Sequence, residues 1–340
     1  MDAIQVEEDG FYQKLTDSGL GAFWKVIPNI TKKKPAALTW KWEEVLPLLQ
    51  QSGDIVRPGS GAERRVIIYS NPDNPASTTS TLTASVQLVL PGETASSHRH
   101  TMAAIRFIIS GSGAFTTVEG ERIYVEPGDL ILTPSWSWHD HGNETSEPVI
   151  WLDGLDAPMV RALQADAFEP DAAKQQRVVK GNDYTRGRLG SAFLKPKAAV
   201  FTEPALPVIY KWTDVYKELQ LQVKDRNWED PFDGIMMEYC NPVTGGSTLP
   251  TLSCCIQLLY PGQVTRTHRH TGSVIYYAVK GQGSMVIEDE RVNWQEGDVI
   301  ALPSWAWHSH INDSKEESIL FSYTDSAVLE KIGLYRTEAR

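Results

Sequence analysis

The sequence predicts a mainly β chain, built as two tandem β-sandwich or small-barrel domains with short flanking helices. Three observations carry this. A block at residues 91–143 is written again at 261–312, short apolar runs end at glycine-bearing turns in both copies, and the chain's eight histidines all fall at matched places within them. At 340 residues the chain is long enough for two domains with a core each.

Composition narrows the class of function. An apolar fraction of 41% with 22% charged residues belongs to an ordinary globular protein rather than a disordered one. The net charge of −11 repels nucleic acid and anionic membrane, so neither is an expected partner. Lys32-Lys33-Lys34 reads as a solvated loop. Cys240, Cys254 and Cys255 form no disulfide framework and no CxxC zinc site. On a strand, Cys254 and Cys255 point to opposite faces, and both suit a reducing compartment. The acidic N-terminus has no signal-peptide core and no apolar run is long enough to span a bilayer, so a cytoplasmic protein is expected.

In chain order, residues 1–40 form an N-terminal arm. Helical content runs over 9–20, and Pro28 and Pro35 break the pattern beyond it. Residues 40–46 predict a short helix leading into the first strands. Lys41, Trp42 and Val45 recur as Lys211, Trp212 and Val215, and Tyr69, Asn71 and Pro72 recur as Tyr239, Asn241 and Pro242, each 170 residues on. The offset is 169 from Gly128/Gly297, which places a one-residue deletion between Val118 and Gly128. The repeats are therefore 41–155 and 211–324. Strands are expected over 82–90, 106–109 and 130–132, and over 252–260, 276–279 and 299–302, with turns at 111–113 and 281–283. Many short strands at close intervals favour a sandwich or barrel. Residues 156–210 form a linker, helical near 157–167 and polar over 180–197. Residues 325–340 close the chain, with a helix over 326–334.

The histidines supply the chemistry. His98 and His100 are two apart, so on a strand they share a face, and His139 and His141 repeat the pattern. Three imidazoles converging in a barrel hold a metal and leave coordination positions open, as catalysis requires. No Asp or Glu lies between His100 and Glu119, or between His270 and Glu288. Imidazole-only ligation suits Fe, Cu, Zn or Ni better than Mn or Mg. Trp136 and Trp138 have the opposite parity to His139 and His141, and packing is their expected role.

The duplication is its own control. Both copies keep the histidines, but Arg64 and Arg65 correspond to Gly234 and Ile235, Arg106 to Tyr276, and Asp153 to Ser322. Only the first copy surrounds its histidines with arginine. Arg106, at the head of an apolar strand, needs an anion: a substrate carboxylate, or Asp153 in a structural ion pair. One of Arg64 and Arg65 can supply a second donor, since strand neighbours face opposite ways.

Gly92-x5-His98-x-His100 and Gly128-x5-Pro134…His139-x3-Asn143 resemble the two cupin motifs, and the second copy matches likewise. The usual motif glutamate falls at Ala104 and Val274, and the usual glycine after the proline at Trp136 and Trp305. Together with Ile105-Arg106-Phe107, His139-Asp140-His141-Gly142 and Trp151-Leu152-Asp153-Gly154-Leu155-Asp156, this variant resembles the gentisate 1,2-dioxygenase family, which includes salicylate, substituted-salicylate and 1-hydroxy-2-naphthoate dioxygenases. The resemblance covers nearly the whole chain. It implies two double-stranded β-helix (jelly-roll) cupin domains and Fe(II) on His98, His100 and His139. It also implies Arg106, His141 and Asp153 as catalytic residues near a small aromatic acid, bound by Arg106, His141 and one of Arg64 and Arg65, the last at its carboxylate. O2 is the implied co-substrate, with ring cleavage between the carboxyl- and hydroxyl-bearing carbons of gentisate or a 5-substituted salicylate. His141 is expected to accept or return the hydroxyl proton. A homotetramer is the implied assembly, and the second unit is implied to be a structural partner. Its intact His268, His270 and His308 nevertheless make a second metal site chemically possible. Two other classes compete with this reading, a two-cupin Mn decarboxylase or Zn isomerase and a non-catalytic binding cupin. The first wants the missing glutamate, and the second has no reason to keep every ligand.

Overall fold

Strand pairing sorts the repeat into four antiparallel sheets, one six-stranded and one five-stranded in each barrel. The computed structural model describes residues 3–25, 37–57, 64–72, 74–181, 184–189, 208–225 and 228–340. They fall into two compact units, 1–36 and 37–340. In the first, the helix Ala3–Asp17 begins earlier than the sequence suggests. Trp24 Nε1 donates to the Tyr12 hydroxyl at 3.2 Å, and Lys25 Nζ lies 3.6 Å over the same ring. Lys32-Lys33-Lys34, Pro28 and Pro35 lie outside the described residues.

In the first barrel the six-stranded sheet runs Ile209–Tyr210, Leu130–Thr133, Ala104–Ser110, Val149–Leu155, Thr83–Val89, Val66–Ile68. Its central strands are buried on both faces because both faces are covered. One face of Thr83–Val89 carries Ala84, Val86 and Leu88, which join Phe107, Leu152, Phe321 and Tyr323 in a single core shared by the two barrels. Phe107 stacks on Phe321 with centroids 4.5 Å apart, and the Tyr323 hydroxyl donates to the Thr83 carbonyl at 2.9 Å. The other face, carrying Arg106, Trp151 and Asp153, closes the inside of the first barrel against the five-stranded sheet Phe168–Pro170, Thr94–His100, His139–Gly142, Phe115–Val118, Glu121–Tyr124. Period-two alternation therefore divides each central strand between a shared core and a private interior.

The barrels exchange their edge strands. Leu38–Trp40, which precedes the first repeat, pairs with Val299–Leu302 of the second barrel, while Ile209–Tyr210 pairs with Leu130–Thr133 of the first. The helices after these strands, Trp42–Ile55 and Trp212–Asp225, start on the opposite barrel too. Asp298 accepts from Lys41 Nζ at 2.7 Å and from the Trp42 amide at 2.9 Å, and Asp129 does the same for Lys211 and Trp212 at 2.7 and 2.9 Å. A carboxylate there satisfies amides and the positive end of the dipole at a helix start. Gly128 and Gly297, at φ 85° and 89°, admit the indoles: a Cβ would stand 2.5 Å from Trp212 and 2.4 Å from Trp42.

The helix expected over 40–46 extends over Trp42–Ile55, and two further expectations change. The deletion lies not between Val118 and Gly128 but in the turn after Ser110. Ser110 and Lys280 still pair at an offset of 170, whereas Phe115↔Gly142 and Ser284↔Ile311 already match at 169. A turn absorbs a lost residue, while a paired strand would turn its side chains to the wrong face. The closing segment is helical only over Ser326–Lys331. Thr337–Ala339 instead forms a strand on His268–His270, as Phe168–Pro170 does on Thr94–His100. The duplication thus reaches past both expected repeat ends.

Candidate metal centre

Antiparallel pairing sets His98 directly opposite His139, and period two brings His100 to the same face as His98. Each ring is held by its Nδ1, which donates to a backbone carbonyl: Ser96 for His98 at 2.8 Å, Met102 for His100 at 2.8 Å and Ser137 for His139 at 2.9 Å. The ligating atoms of the triad lie within 4.8 Å of one another. Burial, reinforced by Arg64, pushes His98 down to about 3. Burial also lowers His100, and holds His139 well below 6.5 with help from His98. Neutral imidazoles are the form a metal requires. Phe168, on the covering strand, stacks on His98 at 5.3 Å.

The indoles lie away from the triad. Trp136 and Trp138 enclose the guanidinium of Arg99 at 4.5 and 4.6 Å, and Arg99 points to the side opposite His98 and His100. Trp136 takes φ 63° and Trp305 φ 66°, so at the motif's usual glycine a tryptophan bears the left-handed conformation.

The arginine pair divides cleanly. Arg64 turns inward, its Nη2 2.6 Å from Nε2 of His98. Arg65 does not reach the site, contrary to its expected substrate role. It is 3% exposed, donates to the Val56 and Leu88 carbonyls at 2.7 and 3.2 Å, and pairs with Glu93. The two neighbours, just before the strand Val66–Ile68, thus turn to opposite sides.

Arg106 and Asp153 face each other across paired strands and form a buried ion pair, Nε and Nη2 lying 2.8 and 2.7 Å from Oδ1. Trp151 Nε1 donates to Oδ2 at 3.0 Å, and the Trp151 ring lies 4.7 Å beneath the guanidinium. Arg106 Nη1 donates to Thr116 Oγ1 at 3.1 Å and to Nδ1 of His141 at 2.8 Å. These contacts occupy four of the five guanidinium N–H bonds. Both oxygens of Asp153 thus serve Arg106 and Trp151. Nδ1 of His141 accepts from Arg106, so the ring's own proton sits on Nε2, which is buried without a partner. Burial and then Arg106 hold the ring well below 6.5, which favours the neutral imidazole.

Sequence reading did not identify Thr116, Trp151 or Phe168 as parts of this arrangement. Thr116 lies directly opposite His141 and Phe168 opposite His100, relationships that only the register reveals. Gln87 and Thr83 were missed as well. They share the inward face of their strand with Ser85, which pairs with Asp153, and Gln87 Oε1 and Thr83 Oγ1 are buried without partners.

In the second barrel His268, His270 and His308 assemble in the same way. Tyr276 and Ser322 occupy the paired positions of Arg106 and Asp153, and Met285 stands opposite His310 where Thr116 stands opposite His141.

The cupin domain family matches residues 85–154 and 255–323. A 5-aminosalicylate 1,2-dioxygenase of Comamonas sp is 39% identical over 99% of this chain and 92% of its own length. Gentisate 1,2 dioxygenase 1 of Aquipseudomonas alcaligenes is 35% identical over 98% and 97%. The crystal structure of a salicylate 1,2-dioxygenase from Pseudaminobacter salicylatoxidans superposes with a TM-score of 0.88 at 29% identity, covering 98% of this chain and 97% of that one. With cupin matches in both barrels and relatives covering nearly the whole length, the chain belongs to the gentisate and salicylate 1,2-dioxygenase family of cupin proteins and is a ring-cleaving dioxygenase.

Proposed function

We propose that the chain is an Fe(II)-dependent dioxygenase that opens the ring of gentisate or another 5-substituted salicylate between its carboxyl- and hydroxyl-bearing carbons. The observation that carries this reading is the first barrel's combination of three neutral histidines, an inward arginine and an unpartnered His141 Nε2–H. The donor set suits iron, being wholly imidazole, neutral and oriented through Nε2. Three protein ligands leave room for a chelating substrate and O2.

His98, His100 and His139 would hold the iron, which supplies the redox chemistry that O2 needs to react with an aromatic ring. Arg64 is the guanidinium nearest the triad and receives the substrate carboxylate, with the one uncommitted N–H of Arg106 as a second donor. His141 donates from Nε2 to the phenolic oxygen, which stabilises negative charge there and orients the ring. Gln87 Oε1 and Thr83 Oγ1, buried and unpaired, face the same interior and offer polar contacts to a ring substituent. The carbon–carbon bond between the two substituted carbons breaks, both oxygen atoms of O2 enter the product, and an oxo-dienoic diacid forms with no external reductant.

A relative acting on 5-aminosalicylate and another acting on gentisate support a substrate substituted at position 5. The test is oxygen uptake by anaerobically iron-loaded protein with gentisate, 5-aminosalicylate and salicylate side by side. Uptake equal to substrate loss, with a new ultraviolet dienoate band, is expected for at least one of the first two. No uptake with any of them, at about one iron per chain in the first barrel, overturns the reading.

A further inference from the structure

The second barrel buries more unsatisfied polar atoms than a structural partner needs. His308 and His310 are 0% exposed, yet His308 Nε2 and His310 Nδ1 have no hydrogen-bond partner, and neither does Nδ1 of the nearly buried His268. Polar atoms so placed carry a desolvation cost that a bound group must offset. They surround the ligating atoms of His268, His270 and His308, which lie within 4.8 Å of one another.

A carboxylate completes the group. Asp233 places Oδ2 3.9 Å from Nε2 of His268 and Oδ1 3.5 Å from Nε2 of His310, and with His308 and His310 it forms a second set of donors within 4.8 Å. Donors about 2.0–2.1 Å from a tetrahedral ion stand roughly 3.4 Å apart, so the spacing from His268 needs only a small shift. Asp233 is held in place: its amide donates to Asp230 Oδ1 at 3.1 Å, and Gln257 Nε2 donates to its carbonyl at 2.8 Å. The corresponding segment of the first barrel turns Arg64 onto its triad instead. A cation thus meets a negative ligand in one barrel, and an anionic substrate meets a guanidinium in the other.

We propose that the second barrel holds its own divalent transition-metal ion on His268, His270, His308 and Asp233, with His310 orienting the carboxylate. Four protein ligands close the coordination sphere, as structural sites do, whereas the first barrel's three leave positions open. Tyr276 stands in place of Arg106, so no buried guanidinium receives a carboxylate there. This site does not depend on which substrate the first barrel takes.

The test counts metal. Apo-protein is loaded with Co(II), freed of excess, and analysed for cobalt per chain and for its visible absorption. Two equivalents are expected in the wild type, with one lost in His139→Ala and a different one lost in His308→Ala. Asp233→Asn, which preserves shape, is expected to weaken only the second equivalent by about 10–100-fold against a chromophoric chelator, and to alter the absorption of that ion alone. Circular dichroism establishes that each variant folds. If His308→Ala does not fold, the wild-type count and Asp233→Asn decide. A single equivalent in the wild type at saturating cobalt overturns the site. Two equivalents indifferent to Asp233→Asn overturn the carboxylate ligand.

Discussion

Arg106 donates to Nδ1 of His141 at 2.8 Å, and this contact fixes which nitrogen of the imidazole carries the proton. Asp153 holds Arg106 from behind, so in the proposed reaction the cross-strand ion pair would act through His141. His141→Phe is expected to keep the iron, because the triad is untouched, and to lower kcat/KM by about 10²–10³-fold, the usual effect of removing a buried donor to developing charge. Parallel metal analysis and steady-state kinetics check this. Loss of iron along with activity would show that His141 supports the triad instead.

The ion pair itself gives a separable prediction. Arg106→Leu strands a buried carboxylate and should cost about 3–5 kcal/mol of stability. Arg106→Leu combined with Asp153→Leu removes both charges and should recover most of that loss in a denaturant titration, without recovering activity. The nitrogen chemical shifts of His141 would then no longer report a ring protonated only at Nε2. If activity returned with stability, the pair would be purely structural.

Arg64 and Arg65 are adjacent and should fail in opposite ways. Arg65 is enclosed by Val56, Leu88 and Glu93, so Arg65→Ala is expected to cost about 3 kcal/mol in stability, read as a lowered urea midpoint. Arg64→Ala should leave that midpoint nearly unchanged. It should raise KM for a 2-hydroxybenzoate by about 10–100-fold, the loss of one charge-assisted contact to a carboxylate. The reverse pattern would mean that Arg65 faces the substrate.

Much of this site is legible in the sequence, for identifiable reasons. His98, His100 and His139 stand out because period two fixes their face and the duplication removes coincidence. Arg106 and Asp153 stand out because the second copy replaces both, and that shared difference suggests their pairing. Which of Arg64 and Arg65 turns inward is not legible, since parity gives opposite faces without saying which one lies inside. Thr116 and Phe168 are hidden for a different reason: each meets its histidine only through a strand pairing that the linear pattern does not specify. The edge-strand exchange is likewise invisible, because Leu38–Trp40 carries no mark of pairing with residues near 300 rather than with its own repeat.

Acid should weaken the metal-free protein in a defined window. An unfolded histidine binds its proton near pH 6.5, whereas His98 in the folded chain stays neutral down to about 3. Between these values the unfolded state holds more protons, so stability falls as pH falls and is unaffected above about 6.5. The urea midpoint of apo-protein should therefore be lower at pH 5 than at pH 7.5. His98→Asn should shrink that difference, and an unchanged slope in this variant would remove His98 from the account.

Trp136 offers a test of how the family motif can be altered without changing its turn. At φ 63° the residue occupies the conformation that glycine adopts without a Cβ penalty, and its indole is retained over Arg99, 4.5 Å away. Trp136→Ala loses the stacking and keeps the strained backbone. Trp136→Gly also loses the stacking but relieves a conformation that costs an L-residue about 1–2 kcal/mol. The glycine variant should thus be about 1 kcal/mol more stable than the alanine variant by thermal or urea unfolding. The same order is expected at Trp305, where φ is 66° and the ring stacks on Arg269 at 4.4 Å. An alanine variant as stable as the glycine variant at both positions would show that the turn relaxes once the indole is gone, and that the cation stack, not the local backbone, sets its geometry.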